Sequence, residues 1–286
     1  GDEFSIGASS SVLLTNITNS VSIVFATGTG MTGTIAGTLT VAGASSTATS
    51  ATANSFITTG GTGTIVTISS TGVINNTATT NITTNGNVTG SLTSLIFSNG
   101  SQYNVSGATT GAFYIPLATW ATNSNVILSG SATTPSTASN NVQSFGNFVV
   151  NLPSLTGTLS FWTTSTTAII QGDLVITAAG ATGGSGIFRA LTSGTLTVNG
   201  NVIVTQGRLQ SSSSTGTFNV LGNTTISSNG ILEINGGTYN QRGTTFTNDG
   251  TLTAVAGLTR LAFAPLTSIA QTFAGSGTVL TNIGGL

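Results

Sequence analysis

Short segments in which apolar residues alternate with Thr, Ser or Asn recur along the chain, separated by glycine-rich turns. Four such segments occupy residues 11–18, 21–26, 34–41 and 64–68, and the pattern is most regular from about residue 171 onward. Alternation with a period of two places the apolar side chains on one face of a strand and the polar side chains on the other. The pattern therefore predicts β-strands along the whole chain.

Two glycine-anchored repeats give this pattern a longer period. The first is Gly-Thr followed by apolar, any and apolar residues, and it begins at Gly37, Gly157, Gly194 and Gly216, and in a looser form at Gly250. The second is Gly-Asn or Gly-Asp followed by a β-run, and it begins at Gly146, Gly172, Gly200 and Gly222. The two are fused at residues 194–205 and 216–227, which start 22 residues apart. A period of about 20 to 30 residues built from short strands is typical of solenoids, in which each coil buries its apolar face against the next.

These repeats predict an all-β chain that folds as a parallel β-helix (β-solenoid). We expect residues 71–286 to form the solenoid, with loop insertions at about residues 100–145. Residues 1–70 form an N-terminal β-rich segment whose pattern fits the start of the solenoid, a short β-sandwich-like segment or docking strands. Asn or Thr at equivalent corners of a solenoid can form hydrogen-bonded ladders.

Charged residues are rare: they make up 3% of the chain, against about 25% in an average protein, and the net charge is −1. None occurs between Glu3 and Asp173. Sheets usually protect their edge strands with lysine, proline or inward-pointing charges, and this chain has four prolines and no lysine. We therefore expect its strand edges to pair with copies of the same chain.

The same scarcity of charge excludes several classes of function. Nucleic-acid binding relies on clustered Lys and Arg, whereas this chain has four isolated arginines, Arg189, Arg208, Arg242 and Arg260. A membrane-spanning helix needs about 20 apolar residues in succession, and the apolar stretches here are short and interrupted. Since the chain has no Cys and no His, and its acids are scattered, we predict no metal site and no cofactor.

The chain is not expected to be an enzyme, because the acids beyond the N-terminus are Asp173, Glu233 and Asp249 alone. Without His or Lys, a Ser or Thr nucleophile has no base. A β-helical polysaccharide lyase or hydrolase, the less favoured alternative, would have to pair Glu233 with Asp173 or Asp249. The scaffold interpretation places Asp173 and Asp249 in corners and turns, and Glu233 on the outward face of a strand.

Candidate binding and modification sites lie mainly in the middle of the chain. Seven Asn-X-Ser/Thr sequons are candidate glycosylation sites: Asn16, Asn75, Asn81, Asn87, Asn99, Asn104 and Asn223. Tyr103, Tyr114 and Trp120 form a candidate glycan-stacking platform, although aromatic residues near loops also cap hydrophobic cores. Outward threonine pairs such as Thr195 and Thr197 leave an ice-binding protein as a further alternative, against the simpler interpretation that Thr suits solvent-facing strand positions.

Four segments, at residues 95–107, 115–130, 143–157 and 194–209, carry a family resemblance. They read LIFSNGSQYNVSG, IPLATWATNSNVILSG, QSFGNFVVNLPSLTG and GTLTVNGNVIVTQGRL. In their sequences and in their order along the chain they resemble the repetitive Gly/Thr/Asn-rich, adhesin-like surface proteins that gliding-type bacteria export by the type IX secretion route. The resemblance covers about residues 90–255. It implies a right-handed parallel β-helix that serves as a surface adhesin or stalk.

Pattern, charge and resemblance together predict a secreted structural protein, extracellular or on the cell surface. It would form or decorate a filament or adhesive fibre by strand-mediated self-association, so that its partners are copies of itself. The alternative is a monomeric adhesin module that binds glycans or another surface through the middle of the chain.

Overall fold

A computed structural model of the chain describes residues 3–14, 22–25, 30–42, 55–58, 63–77, 88–106, 112–163, 166–254, 259–265 and 270–280. All regular secondary structure in these residues is β-strand, and every described strand pair is parallel. This part of the chain is all-β with parallel sheets, consistent with the class that the repeats predict. The chain divides into two compact units, Gly1–Gly146 and Asn147–Leu286.

The first unit contains sixteen short strands in its described part. They are β1 (Glu3–Ile6), β2 (Ser11–Leu14), β3 (Ser22–Val24), β4 (Thr32–Ile35), β5 (Thr38–Ala42), β6 (Ser55–Ile57), β7 (Ile65–Ile68), β8 (Val73–Thr77), β9 (Val88–Thr89), β10 (Leu95–Phe97), β11 (Gln102–Ser106), β12 (Ala112–Tyr114), β13 (Thr119–Trp120), β14 (Asn125–Ser129), β15 (Ser136–Ser139) and β16 (Ser144–Phe145). Paired strands lie three positions apart along the chain, which gives the ladders β1-β4-β7-β10-β13, β2-β5-β8-β11-β14, β3-β6-β9 and β12-β15. We call one pass of the chain through three ladders a turn of the ladder structure, or simply a turn.

The second unit contains fifteen strands in its described part. They are β17 (Asn147–Leu152), β18 (Thr158–Trp162), β19 (Thr166–Ile170), β20 (Leu174–Ala179), β21 (Ile187–Leu191), β22 (Gly194–Val198), β23 (Val202–Ser212), β24 (Thr217–Val220), β25 (Thr224–Ile234), β26 (Gly237–Gln241), β27 (Thr245–Asn248), β28 (Thr251–Ala254), β29 (Thr259–Phe263), β30 (Thr272–Ala274) and β31 (Thr278–Leu280). One ladder runs β19-β22-β24-β26-β29, and a second runs β17-β20-β23-β25-β27-β30. The long strands β23 and β25 also pair through their second halves, in the series β18-β21-β23-β25-β28-β31.

Alternation builds the core of each unit. In the first unit Leu39, Ile74 and Val126 occupy one inward row of the ladder and are fully buried. In the second unit the buried ring of Phe148 packs against Phe161, with ring centroids 4.7 Å apart. Full burial of such a side chain stabilises the fold by about 1.5 to 3 kcal/mol.

Glycine is required at tight corners where the chain passes from one ladder to the next. A Cβ atom on Gly37 would lie 2.2 Å from the carbonyl oxygens of both Gly7 and Ser10. A Cβ atom on Gly222 would lie 2.4 Å from the carbonyl oxygen of Gly200. Only a residue without a side chain allows the backbones of adjacent corners to approach this closely.

The second sequence repeat marks one ladder of the second unit. Its four copies begin immediately before or within β17, β20, β23 and β25, which are consecutive neighbours. The first repeat also marks strands, but its copies lie on β5, β18, β22, β24 and β28, which belong to several ladders. The first repeat therefore predicts strands without predicting which strands pair.

The described strands bear on two expectations about chain organisation. The described strands of residues 1–70 form no separate sandwich, because β5 pairs with β8 and β7 pairs with β10 in parallel ladders that continue beyond residue 70. The region of about 100–145, predicted to hold loop insertions, contributes the six strands β11 to β16 in its described part, and non-strand segments such as 130–135 lie between them. Several of these strands are only two or three residues long, so their alternation is hard to recognise among Ser, Thr and Pro.

Candidate functional site

A ladder of Asn and Asp side chains follows one corner of the second unit. The backbone N–H groups of Asp173 and Asn201 donate to Asn147 Oδ1 at 2.8 Å and to Asp173 Oδ1 at 2.7 Å. Those of Asn223 and Thr245 donate to Asn201 Oδ1 and to Asn223 Oδ1, both at 2.9 Å. The sequence predicts such a corner ladder, and it places Asp173 in a structural position.

The described sequons are mostly engaged in similar ladders. Asn104 Nδ2 donates to Asn75 Oδ1 at 2.8 Å, and Asn75 Nδ2 donates to Thr40 Oγ1 at 3.4 Å, so both amide nitrogens already have partners. Asn223 is half-buried in the corner ladder, whereas Asn99 is exposed. The sequons at Asn16, Asn81 and Asn87 lie outside the described residues. Among the described sequons, Asn99 is thus the accessible one, and glycosylation there stays a prediction.

Two of the three predicted stacking aromatics belong to the core. Tyr103 is 0% exposed and Trp120 is 3% exposed, and the Trp120 ring stacks on Phe97 with centroids 4.1 Å apart. The Tyr103 hydroxyl donates to the Tyr114 carbonyl at 2.7 Å. The glycan-stacking prediction is therefore wrong for Tyr103 and Trp120, because both occupy inward strand positions. Tyr114 is half-buried, and its role in sugar binding is untested.

Two buried tyrosines should make the free energy of unfolding depend on pH in the alkaline range. Burial raises the pKa of Tyr103 and of Tyr239 well above the ordinary tyrosine value of about 10. The unfolded chain therefore loses these protons before the folded chain does, so the free energy of unfolding falls as pH rises above about 10. We expect a slope of up to about 1.4 kcal/mol per pH unit for each tyrosine in denaturant titrations.

The alkaline effect can be assigned by substitution. Tyr239→Phe should remove its part of the slope, whereas Tyr114→Phe, at a half-buried residue, should change the slope less. An unchanged slope in Tyr239→Phe and Tyr103→Phe together would contradict the assignment.

The three acids beyond residue 3 have separate surroundings. Asp173 belongs to the corner ladder, and exposed Asp249 accepts the Ser276 N–H through Oδ1 at 3.1 Å. Glu233 takes an outward strand position, as predicted, but it is only 7% exposed. No group of three or more His, Cys, Asp or Glu side chains suited to a metal ion occurs within the described residues.

Glu233 lies in a polar cluster that sequence analysis missed. Arg208 Nη1 lies 3.2 Å from Glu233 Oε2, and Gln210 Nε2 donates to Glu233 Oε1. Arg189 donates through Nε to Gln210 Oε1 and through Nη1 to Ser160 Oγ, the latter at 3.1 Å. We call these five residues the arginine–glutamate cluster. Both oxygens of the carboxylate are bound by the protein's own side chains, so the arrangement favours a structural role.

The edges of the ladders are a further candidate site, one for contact with another chain. Strands β1, β2 and β3, which we call the N-terminal edge, pair on one side only within the described residues. The same holds for β29, β30 and β31, the C-terminal edge. Nine large apolar side chains are exposed in the described residues, and five of them, Leu13, Val24, Phe273, Val279 and Leu280, lie on these edges. Their exposed fractions range from 46% to 58%.

Sequence and structure comparisons leave the family open. Protein-family models, curated proteins and solved structures give no match to the chain. Among the described residues, none belongs to a helix with the length and hydropathy that a membrane crossing requires.

Proposed function

We propose that the chain is a parallel β-helix whose two edges pair with other copies of the chain. In this proposal it is a secreted structural protein, at the cell surface or outside the cell, that forms or decorates a filament or adhesive fibre. It acts without a cofactor and is not an enzyme. The resemblance to repetitive surface proteins of the type IX secretion route agrees with this role.

The observation that carries the proposal is the exposed apolar surface at the strand edges. Phe273 and Val279 share inward rows with buried Phe246 and Leu252, yet each remains 47% exposed. Isolated exposed apolar residues are common, but core residues exposed together beside unpaired backbone form a template for another chain.

Charge also supports pairing between copies. Within the described residues the C-terminal edge carries one charged residue, Arg260 of β29, and the N-terminal edge carries one, Glu3 of β1. Edge strands that avoid association usually carry lysine, proline or inward-pointing charges. With a net charge of −1, long-range repulsion between copies is weak.

A double lysine variant tests the proposal. The wild-type chain should form large particles above a threshold concentration, measured by light scattering and electron microscopy. Phe273→Lys/Val279→Lys should raise that threshold at least about tenfold, because pairing would bury two unpaired charges. The free energy of unfolding should fall by about 1 to 2 kcal/mol, because the half-exposed Phe273 ring stacks on Phe246 with centroids 5.3 Å apart. Circular dichroism should show that the variant is still folded before its assembly is compared with that of the wild type.

Leu92→Lys/Val142→Lys is the matched control. It adds the same charge at exposed apolar residues that lie off both edges, and it should assemble like the wild type. A wild-type chain that stays a 28.2 kDa monomer at every concentration would overturn the proposal and favour the monomeric adhesin module.

A further inference from the structure

A hydrogen bond recurs where the strands of these parallel ladders end. It is not confined to one ladder, since Thr192 and Asp249 donate it to the Trp162 and Ile226 carbonyls in two other ladders of the second unit. The residue after such a strand donates its backbone N–H to the last inward residue of the preceding strand. In the first unit Ala36 donates to the Ile6 carbonyl at 2.8 Å, and in the second unit Ala264 donates to the Gln241 carbonyl at 3.0 Å. Ile6 therefore marks the register of β1, and Phe263, which is aligned with Gln241, marks the register of β29.

When the two edges meet in chain order, β1 to β3 on β29 to β31, these bonds define the register in which β1 of one copy follows β29 of another. Gly7 comes after Ile6 and has no such acceptor within the described residues. When the ladder continues between copies, Gly7 donates to the Phe263 carbonyl and Ile6 lies beside Phe263. Phe4 then lies beside Leu261, and both of these side chains point inward.

The same register places Glu3 directly beside Arg260. Both side chains are exposed and point outward, and neither has an ion-pair partner within the described residues. Opposite charges on neighbouring strands attract, and like charges in the same positions repel. We propose that Glu3 of one copy pairs with Arg260 of the next copy, and that this ion pair sets the register of self-association. This inference rests on the proposed function and names the contact by which one edge recognises the other.

The remaining edge strands fit the same alignment. Phe273 occupies the inward row of Phe246, and Val12 occupies the inward row of Leu39, so the two meet as core residues. When Ile23, in the inward row of Phe56, lies beside Val279, in the inward row of Leu252, the outward residues Val24 and Leu280, 46% and 49% exposed, also come together. Each contact joins different surfaces of the two copies, so the interface is heterologous and can repeat without limit unless the contacts close into a ring.

Charge reversal tests the pair. Arg260→Glu places two carboxylates side by side, and Glu3→Arg places two guanidinium groups side by side. Each single variant should raise the threshold concentration for assembly about threefold to tenfold at low salt. The double variant Glu3→Arg/Arg260→Glu should return to the wild-type threshold. The differences should shrink at about 1 M salt, where the Debye length is about 3 Å.

Mixing the two single variants distinguishes an ion pair between copies from a structural role of Glu3 and Arg260 within each copy. Arg260 of the Glu3→Arg chain meets Glu3 of the Arg260→Glu chain, and the reversed residues also form an opposite pair. An equimolar mixture should therefore assemble at a concentration where neither variant assembles alone. Ser228→Glu/Asn229→Glu changes the net charge as much as Arg260→Glu does, at exposed residues off the edges, and should leave the threshold unchanged.

The outcomes separate the two proposals. Wild-type assembly with no effect of either single reversal, or a mixture that fails to assemble, would overturn the Glu3–Arg260 pair and leave the proposed function standing. A wild-type chain that does not assemble would overturn both.

Discussion

Replacing Gly222 with alanine should lower the free energy of unfolding by about 3 kcal/mol. The new Cβ atom would lie 2.4 Å from the Gly200 carbonyl oxygen and 2.8 Å from Asn201 Oδ1. Both atoms belong to the adjacent corner, where Asn201 Oδ1 accepts the Asn223 N–H. Relief of the overlap must separate the two corners, which weakens the ladder as well as the packing. Chemical denaturation followed by circular dichroism measures the loss.

Gly7→Ala, between β1 and β2 in the first unit, is the control. The nearest atom to its added Cβ would be Ser10 Oγ at 3.6 Å, an ordinary contact distance. Its free energy of unfolding should stay within about 0.5 kcal/mol of the wild type. Equal losses in the two variants would show that close approach of the backbones is not the reason for glycine at position 222.

Replacing Glu233 with alanine should lower the free energy of unfolding by about 3 kcal/mol. The substitution leaves the amide of buried Gln210 without its acceptor and removes the counter-charge of Arg208. Because the Arg208 side chain is 31% exposed, water compensates part of its loss, and we expect the effect at the low end for a broken buried pair. Denaturant titration again gives the value.

Thr225→Ala tests whether the effect is specific to the cluster. Thr225 also points outward from β25 and is half-buried, and its replacement should cost less than about 1 kcal/mol. Glu233→Gln distinguishes the structural role from the lyase or hydrolase alternative. It should lower stability, and a variant of wild-type stability that loses a polysaccharide-cleaving activity would contradict the structural role.

The parts of the fold that depend on local pattern could be predicted from the sequence. Alternation identifies Leu39 and Leu196 as inward residues, and the Gly-Asn/Asp repeat marks neighbouring strands of one ladder. The corner positions of Asn201 and Asn223 follow from the same repeat, because equivalent residues of successive turns lie beside each other.

The parts that depend on contacts between distant turns could not be predicted. Burial of Glu233 results from Gln210 and Arg208, more than 20 residues earlier in the chain, and no local pattern reports them. The burial of Tyr103 is difficult to predict for another reason. Its polar hydroxyl suggests a position on the protein surface, but Asn76 and the Tyr114 carbonyl form hydrogen bonds with it inside the core. The alternation of apolar and polar residues at 103–105 is the one local indication that the Tyr103 side chain points into the core.

The corner ladder bears on how chains of this kind change length during evolution. Asn201 and Asn223 each present a side-chain oxygen to the backbone N–H found 22 residues later. Tandem duplication of one such 22-residue stretch would supply both the oxygen that the following segment needs and the N–H that the preceding segment needs. Gene segments can therefore be gained or lost in whole multiples of this unit without any new kind of contact, whereas an insertion of a few residues at the corner would break the series.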